Sequence, residues 1–314
     1  MKYKNISIRP DRPLNWFILS AINVAGFLCR PIEFHLFYRA SKFLGKFVLD
    51  KCKCSLNLGD DSYFTFFLED PYWNRLIFGG FVYEAEIDQV LQIISDTEYT
   101  FLDLGANYGY WSVKVSSLEY GAHECIAVEP VAPNHEILSD NCLANQSRFC
   151  IYRNAVSQIS GQAVTMELDP SSISSVGASI APRQSLSEEP TVNVVSTISI
   201  DDLCKREGVV KDRVVVKLDV EGAEIDALLG GKRLLESDLL LIYEDHGIDP
   251  KCEVSEYVLS LGLTVCHFEA GVYCSVESIE DVQAIKSSSS KGYNLFAFHE
   301  GGHFSDLLVP STIL

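Results

Sequence analysis

The chain has 314 residues, of which 47% are hydrophobic and 22% charged, enough apolar material for a packed core and too much for wholesale disorder. Its 25 basic and 43 acidic side chains leave a formal charge of −18, which argues against a nucleic-acid binder, because such a protein needs a cationic face against phosphates. The imbalance is uneven: residues 1–54 carry ten basic and three acidic side chains, so this arm is +7 and the remainder −25.

The most apolar stretch is LNWFILSAINVAGFLC (14–29). Its 16 residues fall short of the ~20 that a bilayer span requires. Arg30 and Pro31 follow where a signal peptide would carry small residues for cleavage. Residues 31–51 have helical spacing, with Leu36, Ala40, Phe43 and Phe47 on one side and His35, Arg39, Lys42 and Lys46 on the other. The favoured expectation is a helix packed on the domain or on a second subunit. A peripheral membrane contact through residues 14–51 is the competing reading. Residues 1–54 thus read as a basic, apolar helical arm, and 55–314 as the main domain.

Within that domain, residues 55–69 read as two short strands around a Gly-Asp-Asp turn, and a helix begins near Glu84. Short apolar runs predict strands at 101–105, 125–130, 149–157, 214–222 and 239–245. Helical segments at 110–119, 134–146 and 224–236 lie between them. Strands separated by helices imply βαβ crossovers, a mostly parallel sheet and helices on both faces. Residues 158–213 form an insertion with a Ser/Pro-rich loop (170–190) and strand-like pieces at 163–168 and 191–198. Segments 264–269, 271–276 and 294–300 are expected to add antiparallel strands at one sheet edge. The ten Cys are scattered without a CxxC pair, and several sit in apolar runs; a reducing, cytoplasmic compartment is the simpler expectation.

The most informative segment is FLDLGANYGYW (101–111). Asp103 ends a strand, and Gly105 and Gly109 allow a sharp turn and close ligand approach before a helix. Asn107 stands where a GxGxxG dinucleotide motif has its second glycine, and no GxxxxGK[ST] occurs. Glu129 ends the next strand, where a carboxylate can accept from two ribose hydroxyls. Asn154 and Ala155 end the third strand and are candidates to meet an adenine edge. In KLDVEGAE (217–224), a continuous strand would project Lys217, Asp219 and Glu221 to one side, at the carboxyl edge where open α/β sheets bind ligands. Lys217 also reads as the neutraliser of an acid, and Glu224 as a helix-start carboxylate.

With DLGANYGYW (103–111), VEP (128–130), NAVS (154–157), TISIDDL (197–203), KLDVEGAE (217–224) and the strand ending at Glu244, the chain resembles the FkbM family of methyltransferases over roughly residues 80–247. The resemblance implies a Rossmann-like methyltransferase fold with a seven-stranded sheet. It also implies S-adenosylmethionine as donor and O-methylation of a hydroxyl on a sugar, glycan or natural product. The cofactor residues would be Asp103, Gly105, Asn107, Gly109, Glu129, Asn154, Ala155 and Asp219. An alcohol acceptor must lose a proton, and Asp219, Glu221, Glu244, Asp245 and His246 are the candidate bases, with Asp219, Glu221 and His246 taken as the catalytic set. Asp219, Glu244 and Asp245 are hard oxygen donors that could alternatively hold Mg²⁺. The competing functions are a non-catalytic cofactor-binding module of the same fold and a nucleotide-cofactor oxidoreductase. The oligomeric state, including a homo-oligomer, is left open.

Overall fold

The computed structural model describes residues 6–29, 36–78, 81–167, 179–180, 193–209, 212–245, 252–269, 271–286 and 293–309. Strand β1 (Ile6–Arg9) leads into helix α1 (Pro13–Cys29), whose Pro13 suits the first helical position. Helix α2 (Phe37–Gly45) is shorter than the 31–51 expected; residues 30–35 lie outside the described set. Strands β2 (Lys53–Asn57) and β3 (Tyr63–Phe67) pair antiparallel around the predicted turn, and β1 pairs antiparallel with β2. This three-stranded sheet straddles residue 54, so the arm is stitched to the domain at that point. Among the described residues no helix is long and apolar enough to cross a membrane.

A 3-10 turn at Asn74–Ile77 precedes α3 (Ala85–Ile93). Then follow β4 (Thr100–Leu104), α4 (Tyr110–Val115), β5 (Glu124–Val128), α5 (Ala132–Ala144) and β6 (Cys150–Tyr152). The strand expected over 149–157 is broken. Only β6 joins the main sheet, while β7 (Ala155–Val156) belongs to a second sheet with β8 (Ala163–Glu167), β9 (Ser179–Ile180) and β10 (Asn193–Ile198), in the order β7-β10-β8-β9. The Asn154 amide helps divert the chain by donating to the Ser196 carbonyl on β10 at 2.9 Å.

The chain continues through α6 (Ile200–Glu207), β11 (Arg213–Leu218), α7 (Glu224–Leu229), β12 (Asp238–Glu244) and α8 (Glu253–Ser260). It ends with β13 (Thr264–Glu269), β14 (Val272–Val276), α9 (Ile279–Ile285), β15 (Asn294–Phe298) and α10 (His303–Leu308). The main sheet has the order β14-β13-β15-β12-β11-β4-β5-β6. Strands β12, β11, β4, β5 and β6 run parallel, and β15 is antiparallel between β12 and β13. Among the described residues this sheet has eight strands where seven were expected, because β14 adds to β13 as an edge hairpin. The result is a Rossmann-like sheet.

Alternate residues feed two cores. Phe101, Ala127, Val215, Leu240 and Ile242 face the side covered by the arm, β2 and β3. Leu102, Val128, Val214, Val216 and Leu241 face the side that also holds Leu203, Leu228 and Val258 of α6, α7 and α8. Burial on both faces explains why these strands are continuous apolar runs. Strand order reverses between β4 and β11, and the carboxyl edge there is the expected ligand crevice of such a sheet.

Candidate active site

A cleft opens at that reversal, and its shape begins with the glycine loop. The Gly105 amide donates to the Val128 carbonyl at 2.9 Å, and the Asp219 amide donates to the Leu104 carbonyl at 3.0 Å. Gly105 has φ +84°, and a Cβ there would sit 1.8 Å from the Asp219 carbonyl oxygen. Only glycine fits where the loop passes between β5 and the end of β11. Gly109 opens α4 at φ +80°, where a Cβ would meet Leu138 at 2.4 Å. Between them Asn107 donates its amide to Glu129 Oε2 at 2.8 Å, and its side-chain oxygen accepts from Trp73 Nε1 at 3.1 Å.

Glu129 is buried at the end of β5. Its Oε1 accepts from the Val131 amide at 2.8 Å and from Asn134 Nδ2 at 3.4 Å. Burial pushes its pKa up to about 7, against the opposing pull of these donors.

Next to it lies a buried charge cluster. Lys217 on β11 is in register with Asp103 on β4, and its Nζ donates to Asp219 Oδ2 at 2.9 Å. Asp103 Oδ2 accepts from the Ser112 amide at 3.1 Å and the Ser112 hydroxyl at 2.5 Å, which ties α4 to β4. Glu84 accepts from Trp111 Nε1 at 2.5 Å. Burial pulls the Lys217 ammonium down, but Asp219, Glu84 and Asp103 together outweigh it and hold its pKa well above the ordinary lysine value. Burial likewise raises the Asp103 and Glu84 carboxyls, and Lys217 is the main opposing influence on both. Asp219 Oδ1 is buried with no hydrogen-bond partner among the described residues, so one acceptor in this cluster is left for a donor from outside.

One wall of the cleft is aromatic. Trp73 stacks on Tyr110 with centroids 5.9 Å apart, Tyr83 meets Tyr110 edge-on at 5.0 Å, and the Tyr72 and Tyr83 hydroxyls are 2.7 Å apart.

Asp103, Gly105, Asn107, Glu129, Ala155, Asp219 and Glu221 all line this one cleft. Gly109 does not; it shapes the turn behind it. Asn154 also stays outside, its amide spent on Ser196. Strand β11 stops at Leu218, so Glu221 reaches the cleft from a left-handed turn at φ 54° and not from a continued strand. Glu224 closes that turn by accepting from the Val220 and Gly222 amides.

The carboxylates expected as a Mg²⁺ set do not converge. Asp245 is buried away from the cleft, held by the Ser255 amide and hydroxyl and by Lys286 Nζ at 2.5 Å. Glu244 does not line the cleft. Among the described residues no group of three or more His, Cys, Asp or Glu side chains is placed to hold a metal. His246 lies outside the described residues. The sequence reading missed the aromatic wall and Glu84. Its only signal was the density of aromatic residues in PYW (71–73) and Tyr83 just ahead of Glu84.

The model of the methyltransferase FkbM domain matches residues 103–258, from Asp103 into α8. No curated protein matches the chain by sequence. Among solved structures it is similar to methyltransferase FkbM from Methylobacillus flagellatus, at 16% identity and TM-score 0.38, covering 64% of this chain and 44% of that one, less than half of that relative's length. It is similar to a precorrin-6y C5,15-methyltransferase from Geobacter metallireducens at 12% identity and TM-score 0.38, covering 71% and 92%. An O-methyltransferase from Bacillus cereus in complex with SAH matches at 9% identity and TM-score 0.37, covering 70% and 83%. The family match falls on the glycine loop, Glu129 and the β11 turn that build the cleft, so residues 103–258 carry the methyltransferase FkbM domain.

Proposed function

We propose that the cleft binds S-adenosylmethionine and that the protein methylates a hydroxyl oxygen of a sugar, glycan or similar polyhydroxylated acceptor. The observation that carries this reading is the pairing of buried Glu129 with the unpartnered Oδ1 of Asp219 across one glycine loop. Glu129 would accept from the ribose hydroxyls, and Asp219 from the ammonium of the amino-acid part. Trp73 and Tyr110 bring aromatic rings to the cleft lining. When bound, the donor supplies an electrophilic methyl on a positive sulfur. The protein's part is to align the acceptor oxygen with it and to take the hydroxyl proton, since orientation alone can remove ~7–11 kcal/mol from such a barrier. Lys217 is held protonated and Asp219 is tied to it. That leaves Glu221, at the cleft's edge, as the described side chain best suited to receive the proton.

Calorimetric titration with S-adenosylmethionine and with NADH tests the cofactor. An acceptor panel with labelled methyl donor, run with and without EDTA, tests the reaction. The donor should bind more tightly than NADH, a polyhydroxylated acceptor should take up label, and EDTA should have no effect. Glu221→Gln should retain donor binding and lose about 10²–10⁴-fold in turnover. Tighter binding of NADH would overturn the assignment. Donor binding without turnover on any acceptor would reduce the protein to a binding module.

A further inference from the structure

We infer that α1 and α2 dock the protein on an anionic lipid bilayer. The argument starts with the composition of α1, whose 17 residues include no charged side chain. At about 100° per residue its apolar positions run most of the way round, interrupted on the exposed side by Ser20 and Asn23. One side is buried through Ile18, Leu19 and Ile22. The opposite side presents Phe17 at 70%, Phe27 at 67% and Leu28 at 68% exposure, with Val24 between them. A helix covered on one side and largely apolar on the other presents a contact surface for a second apolar medium.

Helix α2 packs against α1 and supplies the charge. Phe43 and Phe47 stand exposed, their rings edge to face at 5.3 Å. Arg39 and Lys46 lie within about 60° of Phe43 on the helix circumference, beside it and not on the opposite side as the spacing suggests, and Lys42 reaches over the Tyr38 ring. The segment 36–49 contains no acid. An apolar ridge with cations along its flank is the design of a helix lying in a lipid interface, the long basic side chains reaching up to the headgroups. Trp16, the belt residue of such interfaces, sits on the exposed side of α1 with its Nε1 donating to Asp11 at 2.6 Å.

Charge selects the occupant. An anionic surface attracts the +7 arm and repels the −25 remainder, which favours approach by the arm. A second copy of the chain would bring the same patch onto itself about a twofold axis, setting Arg39, Lys42 and Lys46 against their own equivalents.

The test uses the full chain with vesicles of phosphatidylcholine alone and of phosphatidylcholine mixed with phosphatidylglycerol. Co-sedimentation reads binding, and quenching by brominated acyl chains reads depth. The expected result is binding to the mixed vesicles only, weakened by added salt. Quenching should vanish in Trp16→Phe, because Trp73 and Trp111 are each 2% exposed and stay out of reach. Removing three cations in Arg39→Gln/Lys42→Gln/Lys46→Gln should weaken binding roughly a hundredfold. Phe17→Ser/Phe27→Ser should remove the quenching, with circular dichroism unchanged since both side chains face out. Equal binding to the two compositions, or none to either, overturns the proposal and needs no variant. So does a dimer in sedimentation velocity that Phe17→Ser/Phe27→Ser disperses while vesicles stay unbound.

Discussion

A carboxylate that accepts from two backbone amides and a side-chain amide would ordinarily be acidic. At Glu129 burial outweighs these donors and the pKa rises to about 7. The sign follows: stability from this group is fully present below its unfolded value, near 4.5, and is lost as pH rises through about 7. Binding runs the other way, because only the ionised form accepts from both ribose hydroxyls. Affinity for S-adenosylmethionine should therefore fall up to tenfold per unit as pH drops below about 7. Glu129→Gln should bind more weakly and lose that slope. Titrations between about pH 5 and 8 check this, and a flat wild-type profile would sink it. The sequence could place Glu129 and Gly105 at this strand edge because an acid ends one strand and a glycine ends its neighbour ahead of a helix. It could not place Trp73 and Tyr83, because a buried aromatic residue looks the same whether it fills a core or walls a cleft.

Neighbouring strands account for the next level. Strands β4 and β11 lie side by side, and Lys217 reaches carboxylates that are far apart in sequence. A buried cation among Asp103, Asp219 and Glu84 holds them together more than it stabilises any one pair. Lys217→Met keeps the bulk and removes the charge. It should cost about 3–5 kcal/mol in urea unfolding at neutral pH, because three acids are then left uncompensated. Part of that loss should return on acidification, as the Asp103 and Glu84 carboxyls, already raised by burial, take up protons. A loss that ignores pH would mean that Lys217 acts through packing alone. The alternation of Lys217 and Asp219 hinted at this cluster, yet Glu84 joins it from before α3, a long-range contact that no local pattern encodes. The break between β6 and β7 escaped the sequence for the same reason: residues 149–157 have uniform strand character, and the Asn154–Ser196 bond that splits them spans 42 residues.

At the scale of the whole molecule, the β1-β2-β3 sheet runs across residue 54. The basic charge of the arm set it apart in composition, while its hydrogen bonds and packing bind it to the domain. Strand β1 completes the sheet through β2, and Asn15 ties α1 to the Leu49 backbone by donating and accepting at 3.3 and 3.1 Å. Ile8, Ile18, Leu19, Ile22 and Phe37 share one core with Leu56, Phe64 and Trp73. Phe64 in turn meets Trp73 and Tyr110 of the cleft wall at 4.9 and 5.3 Å. Each of those five arm side chains is worth roughly 1.5–3 kcal/mol on burial, in total comparable to the ~5–15 kcal/mol that keeps a domain folded. A chain beginning at residue 55 should therefore lose cooperative urea unfolding and bind the dye ANS, as loosely packed states do. It should also fail to bind S-adenosylmethionine although it keeps every residue of the glycine loop, because the aromatic wall has lost its backing. Cooperative unfolding at the full-length midpoint would show that the arm is an appendage and that the cleft stands without it.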